Sequence, residues 1–186
     1  LDDVPVPFDC LEFDPELATT DVLYDLAFLV MDLWQRGRTH QANVIVNAYL
    51  DASPDDEDGY RLLPLMLSVR ATVRAHVSAA AGEVDRAREH LALALAVIAP
   101  DGPHAVAIGG ASGTGKSTLA RAVADRVGAA PGARVLRSDV LRKRLAGVPV
   151  LQSLPADGYT RAASARVYAE LERLAAQNLA AGMSVI

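Results

Sequence analysis

The run Gly110-Ala111-Ser112-Gly113-Thr114-Gly115-Lys116-Ser117 fits the pattern G-x-x-x-x-G-K-[ST] at every position, and that pattern is suited to holding phosphate. Glycines let the backbone turn tightly, so that successive N–H groups point inward at phosphate oxygens. A helix opening at the end of the run adds the positive end of its dipole. Lys116 supplies a point charge to the β- and γ-phosphates, the Ser117 hydroxyl suits the coordination shell of Mg²⁺, and Thr118 is placed for the α-phosphate. Lysine is scarce here: Lys116 and Lys143 are the only two, and the other cationic side chains are arginines. The implied chemistry is the binding of a nucleoside triphosphate, ATP with Mg²⁺, by residues 110–118. The structural alternative is a glycine-rich helix cap.

A second cluster is Arg137-Ser138-Asp139-Val140-Leu141-Arg142-Lys143-Arg144. If it follows a strand of an open parallel sheet, Asp139 lies at a carboxyl end, on the side where ligands bind. There its carboxylate is a candidate base for an acceptor hydroxyl, and Arg142 and Arg144 are candidates to hold an anionic acceptor. The alternatives are an N-cap role for Asp139 and a solvated basic face for the arginines. Tyr159, Arg161 and Arg166 read as exposed, and His40, His76, His90 and His104 have no metal-ligand spacing.

The elements that must position these groups can be read from the pattern around them. Ala105 to Ile108 reads as a short buried strand, Lys116 to Val127 as a helix, Arg134 to Leu136 as a second strand and Asp139 to Leu145 as a short helix. Thr160 to Ala181 reads as a long helix and Met183 to Ile186 as a third strand. This βαβ rhythm predicts a parallel sheet. Before it the spacing is helical. Leu17 to Leu33 forms an apolar face closed by Gly37, and a second helix runs from Thr39, its candidate cap, to Leu50. Tyr60 to Ala81 and Glu83 to Ile98 predict a helical hairpin. The acidic stretch Ser53 to Gly59 reads as an exposed loop, and Val4 to Phe13, broken by two prolines, as an edge strand or hairpin. Pro100-Asp101-Gly102-Pro103 is the strongest turn cluster and the expected boundary between residues 1–100 and 101–186.

With 186 residues, 51% of them hydrophobic, the chain is able to bury a core, and a net charge of −5 without a basic block argues against nucleic acid as a partner. Cys10 is the only cysteine, which fits a reducing compartment. No apolar run approaches the ~20 residues of a membrane span, so a cytoplasmic location without membrane contact is expected. The sequence opens on Leu1 and stops at Ile186 as an apolar run begins, which suggests an excerpt of a longer protein.

In its order of strand, phosphate loop, strand, Ser-Asp and Arg-rich helix, the second half resembles the small P-loop kinases of the gluconate kinase, chloramphenicol phosphotransferase and zeta-toxin type. The resemblance implies that Asp139 binds or deprotonates the acceptor hydroxyl. A narrower likeness is to bifunctional aminoglycoside phosphotransferase-like/ATP-binding proteins, in which a kinase-like domain precedes a P-loop domain. Phe8-Asp9-Cys10-Leu11-Glu12-Phe13, followed by the helix over Asp21 to Leu33 with its Asp25-Leu26-Ala27, is similar to the end of a kinase-like C-lobe. Asp9 then matches a metal-binding carboxylate. The expected fold is accordingly α/β, a partial P-loop parallel-sheet kinase domain preceded by an α-helical remnant of such a lobe. The expected activity is transfer of a phosphoryl group from ATP to a small hydroxylated acceptor. A nucleotide-regulated binding module with little catalysis is the alternative. An acidic residue ending the third strand, which falls just past Ile186 in the kinases, separates the two. A GTPase is weaker, since no Asn-Lys-x-Asp guanine reader is present.

Overall fold

The structure, a computed structural model, describes residues 19–99, 101–111, 113–154 and 156–186. The strand-like stretch expected over Val4 to Phe13, with Asp9 and Cys10, lies outside them. Helix α1 spans Val22–Gln35, and the Asp21 carboxylate caps it by accepting from the Leu23 N–H at 2.8 Å. Leu23, Ala27, Val30 and Met31 recur at helical spacing and are its buried residues. Gly37 at φ 70° turns the chain into α2, Thr39–Ala52. Helices α3, Leu63–Ala80, and α4, Val84–Val97, form the expected hairpin, reversed at Gly82 with φ 79°.

Two expectations for this half are corrected. Thr39 is the first helical residue and not the cap; its hydroxyl donates 2.7 Å to Asp125 Oδ2, far along the chain. The acidic stretch is not simply a solvated loop. Residues Pro54–Leu62 wind into a 3-10 helix, in which Glu57 is only 5% exposed and Tyr60 1%. Carboxylates this close in sequence favour solvent unless a cation meets one of them, and here Arg134 meets Glu57.

In the second half, α5 spans Lys116–Val123 and tightens into a 3-10 turn over Ala124–Arg126, while α6 spans Ser138–Leu145 and α7 spans Arg161–Ala180. Thr160 caps α7 by accepting from the Ala163 N–H at 3.1 Å. The three expected strands are reduced to isolated parallel bridges, Ala105 with Val185 and Arg134 with Val185. Their hydrogen bonds are nonetheless those of parallel pairing. Val106 N–H donates to Val185 O and Val185 N–H to His104 O on one side. Arg134 N–H donates to Ser184 O, and Ile186 N–H to Arg134 O, on the other. The central segment contributes only Ser184 to Ile186 to these bonds, so each side has room for a single bridge. The spatial order is 104–106, 184–186, 134–136.

Successive residues of a strand point to opposite faces, and the packing obeys that rule. Val135 joins Ala120, Ala124 and Ala133 beside α5, whereas Leu136 packs with Leu141, Val167 and Leu174 from α6 and α7. Helices therefore cover both faces, as a parallel sheet requires.

The outer edge of the 131–136 segment is covered by α2. Asn43 donates 3.0 Å to both Pro131 O and Ala133 O, and Asn47 donates 3.2 Å to Ala133 O while accepting 2.7 Å from the Val135 N–H. A helix rises about 6 Å in four residues, and a strand rises about 6.6 Å in two. Polar side chains at i and i+4 thus keep pace with the outward-facing groups of alternate strand residues. In this way α2 stands where a neighbouring strand would, and no edge group from Ala133 to Val135 is left exposed. The chain reaches that edge through a crossing that only glycine fits. Gly132 has φ 95°, and a Cβ there would lie 2.4 Å from Ala124 O and 2.7 Å from Asp125 Cα. Gly132→Ala is expected to cost at least ~2 kcal/mol, which for a chain of this length lowers the melting temperature by about 4–8 °C in calorimetry.

Candidate functional site

The phosphate loop is built on glycines that the backbone conformation demands. Gly110, Gly113 and Gly115 have φ of 150°, 80° and 84°, values that residues with a Cβ rarely adopt. Around Gly113 and Gly115 a Cβ would meet nothing within 4 Å. Side chains are absent there not because neighbours crowd the loop but because the backbone folds left-handed beside open space, where a ligand is able to approach the main chain. Ser112 lies outside the described residues.

Gly115 is the N-cap of α5 and has no side chain to satisfy the first-turn amides. The first turn also holds no acidic residue. An anion is the natural partner for such an end. Lys116 is the first residue of α5 and folds back over the loop, its Nζ donating 2.8 Å to Gly110 O and 2.5 Å to Ala111 O. Thr114 Oγ1 closes the same turn by donating 2.8 Å to Ala111 O. An ammonium is therefore held above the loop before any phosphate is present. Ser117 and Thr118 come next, on the exposed first turn of α5.

The parallel pairing sends the phosphate loop and α6 out of the same edge of the sheet, because both leave the carboxyl ends of segments aligned with 184–186. One segment intervenes, so the two exits are separated by roughly 10 Å across the sheet. Asp139 sits in the first turn of α6 with its side chain 61% exposed, and its ion-pair partner is Lys143 at 3.3 Å. It is not the N-cap; Arg137 holds that position.

The two arginines proposed for an acceptor join α6 to the next stretch of chain. Arg142 donates 3.0 Å to Gly158 O and lies 5.0 Å from the Tyr159 ring centroid. Arg144 pairs with Glu170 on α7 at 2.9 Å. Hydrogen bonding and charge from Arg173, followed by Arg144, hold the Glu170 carboxyl below its usual range against a partial burial that opposes them. Lys143 donates 2.8 Å to Val150 O. The basic residues of this helix thus pin the segment between α6 and α7. Tyr159, Arg161 and Arg166 are exposed, as their composition suggests.

The most heavily charged buried centre was not apparent from sequence. Arg134 is 2% exposed and is held by Glu57 through two bonds of 2.9 and 3.1 Å, by Asp51 at 2.9 Å and by Asn47 at 3.1 Å. Burial alone lowers the guanidinium pKa, but hydrogen bonds and charge from Glu57 and Asp51 outweigh it and the net direction is upward. Tyr60 donates to Gly132 O beside it, and burial pushes its phenol up. The spacing Asn43, Asn47, Asp51, polar at every fourth position next to the apolar Ala42, Val46 and Leu50, was the available signal.

Residues 106–186 match a protein family described as an AAA domain, and the match begins at the segment leading into the loop. The second half is a P-loop NTPase-like region. Over 196 aligned residues, covering all of it, the chain is 36% identical to uncharacterized proteins of Mycobacterium tuberculosis and Mycobacterium bovis, and it spans 38% of their length. No solved structure matches it. The match to the AAA domain suggests an α/β fold for this region, while helices dominate the described residues. No helix among them is long and apolar enough to cross a membrane.

Proposed function

We propose that the P-loop region binds ATP with Mg²⁺ and that the protein transfers the γ-phosphoryl group to a small hydroxylated acceptor. The observation carrying this is the loop itself: left-handed glycines facing open space, with the Lys116 ammonium already aimed across the carbonyls of Gly110 and Ala111. Phosphate oxygens offer that ammonium better acceptors than neutral carbonyls do. Mg²⁺, when bound, supplies further charge neutralisation, with the Ser117 hydroxyl as the loop's contribution to its shell.

In the transfer the acceptor oxygen attacks the γ-phosphorus, and the bond to the β,γ-bridging oxygen breaks. ADP leaves with that electron pair, and the acceptor's proton passes to the Asp139 carboxylate. The exit of α6 from the sheet edge that also carries the P-loop supports this placement of Asp139, as does its exposure. Arg142 and Arg144 would act on the acceptor only by giving up their contacts to Gly158 and Glu170. Asp139 is therefore the stronger candidate of the three. We further propose that residues 1–100 are the helical C-terminal part of a kinase-like domain, a reading supported by the likeness of the helix carrying Asp25-Leu26-Ala27, and that 101–186 are the N-terminal part of the P-loop domain.

Asp139→Asn tests the base. With γ-labelled ATP and a panel of small polyols and sugars, transfer is expected to fall about 100-fold, while calorimetric MgATP affinity stays within about twofold. Unchanged transfer would remove Asp139 from the mechanism.

A further inference from the structure

We infer that Asp51, a residue of the helical half, is a positioning residue for Asp139 in the P-loop half; this rests on the base assignment above. Asp51 lies at the end of α2, 12% exposed, and its two oxygens are divided between two guanidiniums. Oδ1 is 2.9 Å from Arg134 Nη1, and Oδ2 is 2.7 Å from Arg137 Nη2. Those arginines bracket the segment Arg134 to Arg137, which pairs with the central bridge segment at one end and caps α6 at the other. The Arg137 carbonyl accepts from the Leu141 N–H at 3.0 Å, so its backbone begins the helix on which Asp139 sits two residues later.

Arg134 is already fixed by Glu57, Asn47 and its bridge to Val185. Arg137 has no such backing, and its side chain is 26% exposed, with Asp51 as its ion-pair partner. Asp51 is thus one of several partners of Arg134 but the ion-pair partner of Arg137, and it ties Arg137, and with it the start of α6, to a buried centre. Apart from the Lys143 ion pair at 3.3 Å, the exposed Asp139 carboxylate takes its direction from the helix that carries it, and Arg137 sets where that helix begins. In a reaction governed by positioning, a displacement of about 1 Å is enough to slow transfer by up to 100-fold.

The test uses the 186-residue chain, saturating MgATP and water as the acceptor, with phosphate release as the readout. Asp51→Asn is expected to lower kcat about 10-fold and to leave MgATP affinity unchanged within about twofold. Arg137→Gln cuts the same bridge from its more exposed side without touching Arg134, and should show the same loss if Asp51→Asn folds poorly. In an Asp139→Asn background neither substitution should lower kcat further, because each acts through that carboxylate. If the full loss persists in that background, the effect is general and the positioning role is overturned. If Asp139→Asn slows release and neither bridge variant does, the role of Asp51 falls and the base assignment stands. If Asp139→Asn changes nothing, both fall.

Discussion

Lys116→Ala should lower phosphoryl transfer by about 100- to 1000-fold, the range seen when one preorganised charge donor is taken from a reacting oxyanion. The loop geometry explains why the loss should be so large. Gly113 and Gly115 present bare backbone, and α5 presents a first turn without a side-chain cap, so Lys116 is the full positive charge among the described residues of the loop. Its Nζ rests on Gly110 O and Ala111 O, which places it over the centre of the turn. Alanine at this position keeps the helix, since its propensity is higher than that of lysine. The fold should therefore survive, and a circular dichroism spectrum equal to the wild type's is expected beside the kinetic loss. Lys116→Arg should recover little, because a planar guanidinium does not fit where a compact ammonium is folded against two carbonyls.

Glu57→Ala should be the most damaging substitution for stability. It strips two hydrogen bonds from a guanidinium that is 2% exposed, and also removes one of the two acceptors of the Asn178 amide, the one at 3.3 Å. Breaking one side of a buried ion pair costs about 3–5 kcal/mol. Asp51 remains beside Arg134, so the lower end, about 3 kcal/mol, is expected. That lowers the melting temperature by roughly 6–12 °C for a chain of this length, measurable by calorimetry. Glu57→Gln keeps one good acceptor for the guanidinium and should lose clearly less. A drop as large for Gln as for Ala would mean that charge, and not hydrogen bonding, holds the centre.

These two sites differ in how far the sequence reveals them. The P-loop is legible because its chemistry is local: eight consecutive residues supply the glycines, the cation and the helix start. The same holds for α1 to α4, whose apolar spacing marks their buried faces, and for Gly37 and Gly82, which end helices with positive φ. Glu57 is different. Within Ser53 to Gly59 it looks like any other carboxylate, and what buries it is Arg134, 77 residues away. Pairing of that kind leaves no local pattern. The stripe of Asn43, Asn47 and Asp51 was visible as a spacing, but its use as a cover for a strand edge depends on where residues 131–137 arrive. Each expected strand contains one bridged residue, Ala105, Arg134 or Val185, and none forms a full strand among the described residues, since apolar composition marks where a strand can lie and pairing decides how much of it is realised. Arg142 and Arg144 show the converse. Their position next to Asp139 suggests a ligand, whereas Gly158 and Glu170 already engage them.

The boundary expected near residues 100–103 acquires a physical consequence from these contacts. Helix α2 supplies the edge cover of the P-loop sheet, and Asn43, Asn47, Asp51, Glu57 and Tyr60 all bond to residues 131–137. A ligand held at the P-loop therefore stabilises a unit that includes part of the helical half, and binding raises the stability of both by mass action.

Calorimetric titration of MgATP into the folded 186-residue chain tests the central claim most directly. Saturable binding at a stoichiometry of one, displaced by ADP and lost in Lys116→Ala, is the predicted result. A chain that is folded by circular dichroism yet releases no saturable heat at millimolar MgATP would contradict it.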